Sequence, residues 1–212
     1  IGVGDEVIVP SHTATATVAA ICKAGASPVF ADVESETYCI RPECIEELVN
    51  SSTRAVLVVH LYGIVARVQT ILEIANKYNL KVIEDCAQAF GSFINNKSVG
   101  TFGDVGCLSF YPTKNLSTLG DAGAIVTNSF ELFEKIIGLR QYGWNSKRES
   151  KTISGVYRMD ALHAVILNLS LAKYNIRKKI RNKLAEQYFN NLSNSPIILP
   201  PKNSINFDIA YH

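Results

Sequence analysis

The sequence predicts an α/β protein built on a mostly parallel sheet with helices on both faces, and three observations carry that prediction. Short apolar runs rich in Val and Ile alternate with helical patterns as far as Phe90. The runs are apolar at successive positions, as in strands buried on both sides, rather than alternating apolar with polar. Turn-forming residues stand between them, so each strand ends before the next helix begins.

In chain order, EVIVP (6–10), PVFADV (28–33), AVLVVH (55–60) and KVIED (81–85) are the first four expected strands. A helix is expected over 13–24, with Ser11 or Thr13 as its cap and Gly25 as its stop. A second, over 42–50, opens with Pro42, and a third spans 67–79. Beyond residue 100 the alternation loosens. GCLSFYP (106–112) and GAIVTN (123–128) are further strands, and 130–142 is a helix. Leu162, Val165, Ile166 and Leu169 open an amphipathic pattern that predicts one long helix over 159–192. A helix of that length links domains or subunits, so residues 1–150 are expected to form a large domain. Residues 151–212 then hold the linking helix and the start of a second, incomplete unit. The tail PIILPPKNSINFDIAYH has no helical pattern and closes on a strand-like run.

Composition excludes several classes of function. With 212 residues and 47% hydrophobic content, the chain can bury a substantial core and is not disordered. Its 21 basic and 19 acidic residues give a net charge of +2, which points to neither a nucleic-acid partner nor a membrane surface. The basic run RKKIRNK (177–183) reads as the solvated face of a helix, because Ile176, Ile180 and Leu184 interleave with it at helical spacing. The five cysteines, Cys22, Cys39, Cys44, Cys86 and Cys107, form no C-x-x-C pair. Reduced thiols in a cytoplasmic protein are therefore expected, with no disulfide framework and no metal site. No run of 18 apolar residues and no export signal is present in the sequence.

Ligands of open parallel sheets bind beyond the carboxyl ends of the strands. Three polar features fall there: His60, Asp85 with Gln88, and the stretch Ser109 to Lys114. Asp85 stands among Val82, Ile83 and Cys86, where a carboxylate is costly without a partner. It reads equally well as a cap for the next backbone N–H groups. Lys114 on its own reads as a side chain reaching for water. A buried lysine instead loses its proton readily and attacks carbonyls. Its company separates the two readings. Pyridoxal phosphate requires a lysine for its aldehyde, a carboxylate for its ring nitrogen, a polar contact for its ring oxygen and donors for its phosphate. Lys114, Asp85, Gln88 and Ser109 supply that set.

Four segments carry a resemblance: GDEVIVPSHTATATVAAICKAGASPVFADVESETY, VHLYG, VIEDCAQAFGS and VGTFGDVGCLSFYPTKNLSTLGDAGAIVTN. In this order they resemble the DegT–StrS family of sugar aminotransferases, which have the aspartate aminotransferase fold and use pyridoxal phosphate. The resemblance covers nearly the whole chain and implies roles for matching positions. Lys114 would form the internal aldimine and then carry the proton between substrate carbon and cofactor. Asp85 would pair with the pyridine nitrogen, Gln88 would contact the phenolic oxygen and Ser109 would bind the phosphate. Asn115 and the turn from Gly120 to Gly123 would shape the lysine loop beside the cofactor. The implied reaction moves an amino group from glutamate or glutamine to a keto group of a nucleotide-diphosphate-linked sugar, in a homodimer with sites at the subunit interface.

Two departures from the family pattern stand out. Many members stack an aromatic residue on the cofactor where this chain has Ala14, and His12 lies two residues earlier. In SGVYRMDALHAVIL, Val156 occupies the place of an asparagine that reaches the phosphate of the neighbouring subunit, while Arg158 and Asp160 are retained and His163 replaces a glutamine. Family members are also much longer, so the chain is expected to be a fragment. Two alternatives stay open on the sequence: a non-catalytic relative that binds or regulates, and an aminotransferase acting on a ketocyclitol.

Overall fold

The computed structural model describes residues 1–204 and 206–212. Ile205, within the terminal strand-like run, lies outside the described residues. The strands are β1 (Glu6–Pro10), β2 (Ser27–Ala31), β3 (Thr53–Val59), β4 (Lys81–Asp85), β5 (Phe93–Ile94), β6 (Lys97–Ser98), β7 (Val105–Ser109), β8 (Gly123–Val126) and β9 (Phe207–Asp208). The helices are α1 (Thr15–Lys23), α2 (Pro42–Leu48), α3 (Val68–Lys77), α4 (Phe130–Leu139), α5 (Ala161–Ala172) and α6 (Tyr174–Asn191).

Six strands form one sheet in the order β2-β1-β3-β4-β7-β8, parallel throughout except where β8 runs against β7. The central strands explain why the sequence shows continuous apolar runs. Ala55, Val56 and Val58 of β3 and Ile8 and Val9 of β1 have no exposed surface, and each large aliphatic side chain buried in this way contributes about 1.5–3 kcal/mol. From β1 the chain crosses outward to β2, then returns past β1 to β3 and on to β4. Right-handed crossovers therefore put α1 on one face and α2 and α3 on the other. The direction of winding reverses between β1 and β3, which makes the carboxyl ends of those strands the crevice where such sheets take ligands.

Three features differ from the sequence expectation. The helix expected over 159–192 is broken at Lys173, which lies at φ −101°, ψ 0° between α5 and α6. The stripe Leu162, Val165, Leu169, Ile176, Ile180 and Leu184 stays exposed; α5 and α6 are anchored instead by Leu167, Tyr174 and Phe189. Tyr174 is drawn into the fold by packing edge-on against Phe90 and donating its hydroxyl proton to the Phe90 carbonyl. The third difference is the small hairpin β5–β6, extended by β9. Its turn is Asn95-Asn96, both at positive φ, the geometry that suits a two-residue hairpin. Strands of two residues are too short to leave a periodic signature.

Candidate active site

Beneath the carboxyl ends of the strands lies a buried pair, His60 and Glu84. Neither side chain has exposed surface, and His60 Nε2 is 2.9 Å from Glu84 Oε2. His60 Nδ1 accepts the Ala66 N–H at 3.2 Å, so the imidazole proton sits on Nε2 and is donated to the carboxylate. Glu84 also accepts N–H bonds from Gly100 at 2.8 Å and from Phe102 and Gly103 at 2.7 Å. Burial alone would raise its pKa, but the His60 bond and these backbone donors outweigh burial and hold the carboxyl below its ordinary range. Cys86 lies close enough to the pair for the three side chains to outline a cation site. Both Glu84 oxygens and both ring nitrogens are already engaged, and burial drives the Cys86 thiol pKa far upward, so the trio is a structural brace. His60, one of the three polar features at the strand ends in the sequence, thus faces inward.

Glycines let this brace close. A Cβ on Gly106 of β7 would stand 2.4 Å from the Gly100 Cα, so the turn that supplies three donors to Glu84 packs on β7 only because Gly106 has no side chain, while Gly100 itself takes φ +86°.

Asp85, the next residue after Glu84, points the other way and is half-buried. Its Oδ1 accepts the Ala87 N–H at 3.0 Å, the local cap that a carboxylate at a strand end can make. Its Oδ2 accepts the hydroxyl proton of Thr17, at 2.8 Å, from the first turn of α1. The β4–β7 register sets Asp85 beside Cys107, two residues before Ser109. Burial and then the Asp85 charge push the Cys107 thiol up to about 11.

Gln88 lies beyond β4 and accepts the Tyr62 N–H on Oε1 at 2.7 Å. That bond identifies the oxygen, which leaves the Nε2 hydrogens available as donors. Tyr62 adopts φ +57°, a conformation uncommon outside glycine and frequent at functional sites. Its hydroxyl meets His12 Nε2 at 3.1 Å, and Tyr38, also at positive φ, packs edge-on against both rings. His12 follows β1 and Tyr62 follows β3, so the cluster lies beyond the carboxyl ends of those strands.

Ser109 ends β7, and its Oγ accepts only a long 3.4 Å bond from the Tyr111 N–H, so its own proton remains free to donate. Tyr111-Pro112-Thr113-Lys114 is a turn closed by the Lys114 N–H on the Tyr111 carbonyl at 2.8 Å, with Pro112 at the position where its fixed φ favours turning. The wider loop is tied off by Thr118 N–H to the Phe110 carbonyl and Phe110 N–H to the Ala122 carbonyl. Lys114 is half-buried.

Asn115 is buried, and its side chain turns to the end of the chain. Nδ2 donates to the carbonyls of Ala210 and Tyr211, and Oδ1 lies 3.3 Å from His212 Nδ1. Burial first, then the charges of Lys114 and Arg181, lower the His212 pKa. Ala14 is the N-cap residue of α1, with no side-chain cap, and is exposed. Val156 pairs by its backbone with Gln141, away from this group. Thr17, Tyr62 and His212 were not singled out by sequence reasoning.

The DegT/DnrJ/EryC1/StrS aminotransferase family model matches residues 1–212. The chain is 48% identical over 200 residues to a dTDP-3-amino-3,6-dideoxy-alpha-D-galactopyranose transaminase of Aneurinibacillus thermoaerophilus, covering 94% of this chain and 55% of the relative. It is 46% identical over 178 residues to a UDP-N-acetyl-3-dehydro-alpha-D-glucosamine 3-aminotransferase of Acidithiobacillus ferrooxidans, covering 82% of this chain and 48% of the relative. The crystal structure of S. venezuelae DesV in complex with a ketimine intermediate superposes with a TM-score of 0.94 at 38% identity, over all of this chain and 57% of that one. The chain spans about half the length of the curated relatives it matches. Among the described residues, no helix is long and apolar enough to cross a membrane.

Proposed function

Because this chain belongs to the DegT/DnrJ/EryC1/StrS aminotransferase family, we propose that it forms the cofactor-binding part of a pyridoxal-phosphate-dependent transaminase whose acceptor is a keto group on a nucleotide-diphosphate-linked sugar. The observation that carries this reading is that Asp85 ends β4 and Ser109 ends its sheet neighbour β7, with Gln88 and Lys114 in the segments that follow each strand. The nucleotide-sugar names of the relatives support the acceptor class, and nothing in the site favours a binding-only or ketocyclitol-specific protein.

The residues fit pyridoxal phosphate by the chemistry of their free groups. Gln88 keeps its amide N–H bonds free for a phenolic oxygen, because Tyr62 holds the carbonyl end. Ser109 keeps its hydroxyl proton for a phosphate. Asp85, with one bond on each oxygen, retains lone pairs to accept a pyridinium N–H. When bound, the cofactor supplies the electron sink that makes a proton on the substrate carbon labile. Lys114 would hold the cofactor through its aldehyde until the amino donor displaces it, and the freed amine would then take and return that proton, with the Tyr111–Lys114 turn fixing where it reaches. Asn115 ties the lysine loop to the segment ending at His212, which limits how far the loop can swing. Glutamate or glutamine is the amino donor, and two copies of the whole protein complete a pair of sites at their interface. Residues 1–150 form the cofactor-binding domain, and 151–212 lead into a second one.

Pyridoxal phosphate titrated into the protein tests this reading. The wild type develops the near-visible absorbance of a lysine-bound cofactor, and Lys114→Ala does not. Identical spectra for the two proteins would remove the proposal. Release of 2-oxoglutarate from glutamate with a panel of nucleotide-linked keto sugars then reports the acceptor.

A further inference from the structure

Asp85 is held by a hydroxyl relay from α1. Thr17 Oγ1 is 2.8 Å from Asp85 Oδ2 and 2.9 Å from Thr13 Oγ1. A carboxylate accepts and cannot donate, so the single Thr17 proton goes to Asp85. The Thr13 proton must then go to Thr17, which fixes the direction as Thr13 to Thr17 to Asp85. Thr17 is 5% exposed, so water does not compete for the bond. Thr17 lies in the first turn of α1 and Thr13 two residues before its first residue, where the approach to the helix brings the two hydroxyls together.

We propose that Thr17 is a positioning residue for the cofactor, aiming Asp85 at the pyridine nitrogen, with Thr13 orienting the Thr17 hydroxyl. The proposal rests on the aminotransferase reading above. Asp85 has two ways to turn about its side-chain bonds. The Ala87 N–H restrains one oxygen and Thr17 the other, so together they fix the carboxylate plane. This support matters more here because Ala14, on the same helix, offers no ring to stack on a cofactor. Alpha-1 thus serves the site through hydroxyls. Backbone bonds within the β3–β4 ladder, together with His60 N–H to the Asp85 carbonyl at 3.0 Å, hold the main chain but not the carboxylate, which without Thr17 keeps only the Ala87 N–H.

The test uses Thr17→Val, which keeps the shape and removes the hydroxyl, and Thr17→Ser, which keeps the hydroxyl. Thr17→Val weakens pyridoxal phosphate binding about tenfold or more, as expected for a bond to a charged acceptor. It also shifts the absorbance maximum of the bound cofactor at fixed pH, which a purely structural defect would leave in place. Thr17→Ser restores both to within about twofold. Thr17→Val with wild-type affinity and spectrum, or Ser and Val equally impaired, overturns the proposal. Should Thr17→Val fail to fold, Thr13→Val decides: a measurable loss of affinity supports the relay, and wild-type affinity overturns it. If wild type and Lys114→Ala give the same spectrum, the aminotransferase reading itself has failed, a result distinct from each of these.

Discussion

His60 and Glu84 meet at 2.9 Å with no exposed surface on either side chain, and the carboxylate takes four donors in all. It joins the end of β3 to the loop that leads into β7, directly behind Asp85. A buried charge that loses its partners is among the costliest local defects a fold can suffer. Glu84→Ala orphans three backbone N–H groups and the imidazole and should cost about 3–5 kcal/mol; His60→Ala removes one donor of four and should cost about 1–3 kcal/mol. Urea unfolding of the two variants measures both, and equal costs would show that the carboxylate is not the hub. The same pair sets an acid limit. Because the folded Glu84 carboxyl titrates below its ordinary 4.5, its stabilising contribution is complete above that value and is lost as pH falls through the lower folded value. His212, held below its ordinary 6.5, likewise contributes fully above 6.5 and loses that contribution as pH falls further. Thermal unfolding between pH 3 and pH 8 should therefore show a plateau near neutrality and its steepest loss below about pH 4.5.

Thiol reactivity separates the cysteines. Cys22 is exposed, whereas burial pushes Cys39 and Cys107 up to about 11. At pH 8 iodoacetamide should alkylate Cys22 rapidly and leave Cys39, Cys86 and Cys107 unmodified until the protein unfolds, because the thiolate is the reacting species. Mass mapping of the alkylated positions checks this. Early labelling of Cys107 would mean that the β4–β7 pairing beside Asp85 opens readily.

Ala14 offers a gain-of-affinity experiment. It is exposed at the start of α1, so a ring placed there displaces nothing. Ala14→Tyr should tighten pyridoxal phosphate binding by roughly 2- to 12-fold, the range that an aromatic pair of about 0.5–1.5 kcal/mol provides. Unchanged affinity would place the cofactor ring away from the N-terminus of α1.

The strands of the main sheet and the family are legible in the linear order of residues. Continuous Val and Ile runs report burial on both faces, and the spacing of Asp85, Gln88, Ser109 and Lys114 is a local property of two strand ends. Groups that meet across the chain take their roles from folding alone. His60 and Asp85 both stand at the ends of apolar runs and look alike in one dimension. The pleat of β4 turns Glu84 inward to His60 and Asp85 outward to Thr17, 68 residues away. The apolar stripe after Leu162 predicted one long helix, yet the chain breaks at Lys173, and with Tyr174 docked on Phe90 most of the stripe is exposed. Helical periodicity records which residues share a face, whereas which face is covered depends on elements distant in the chain.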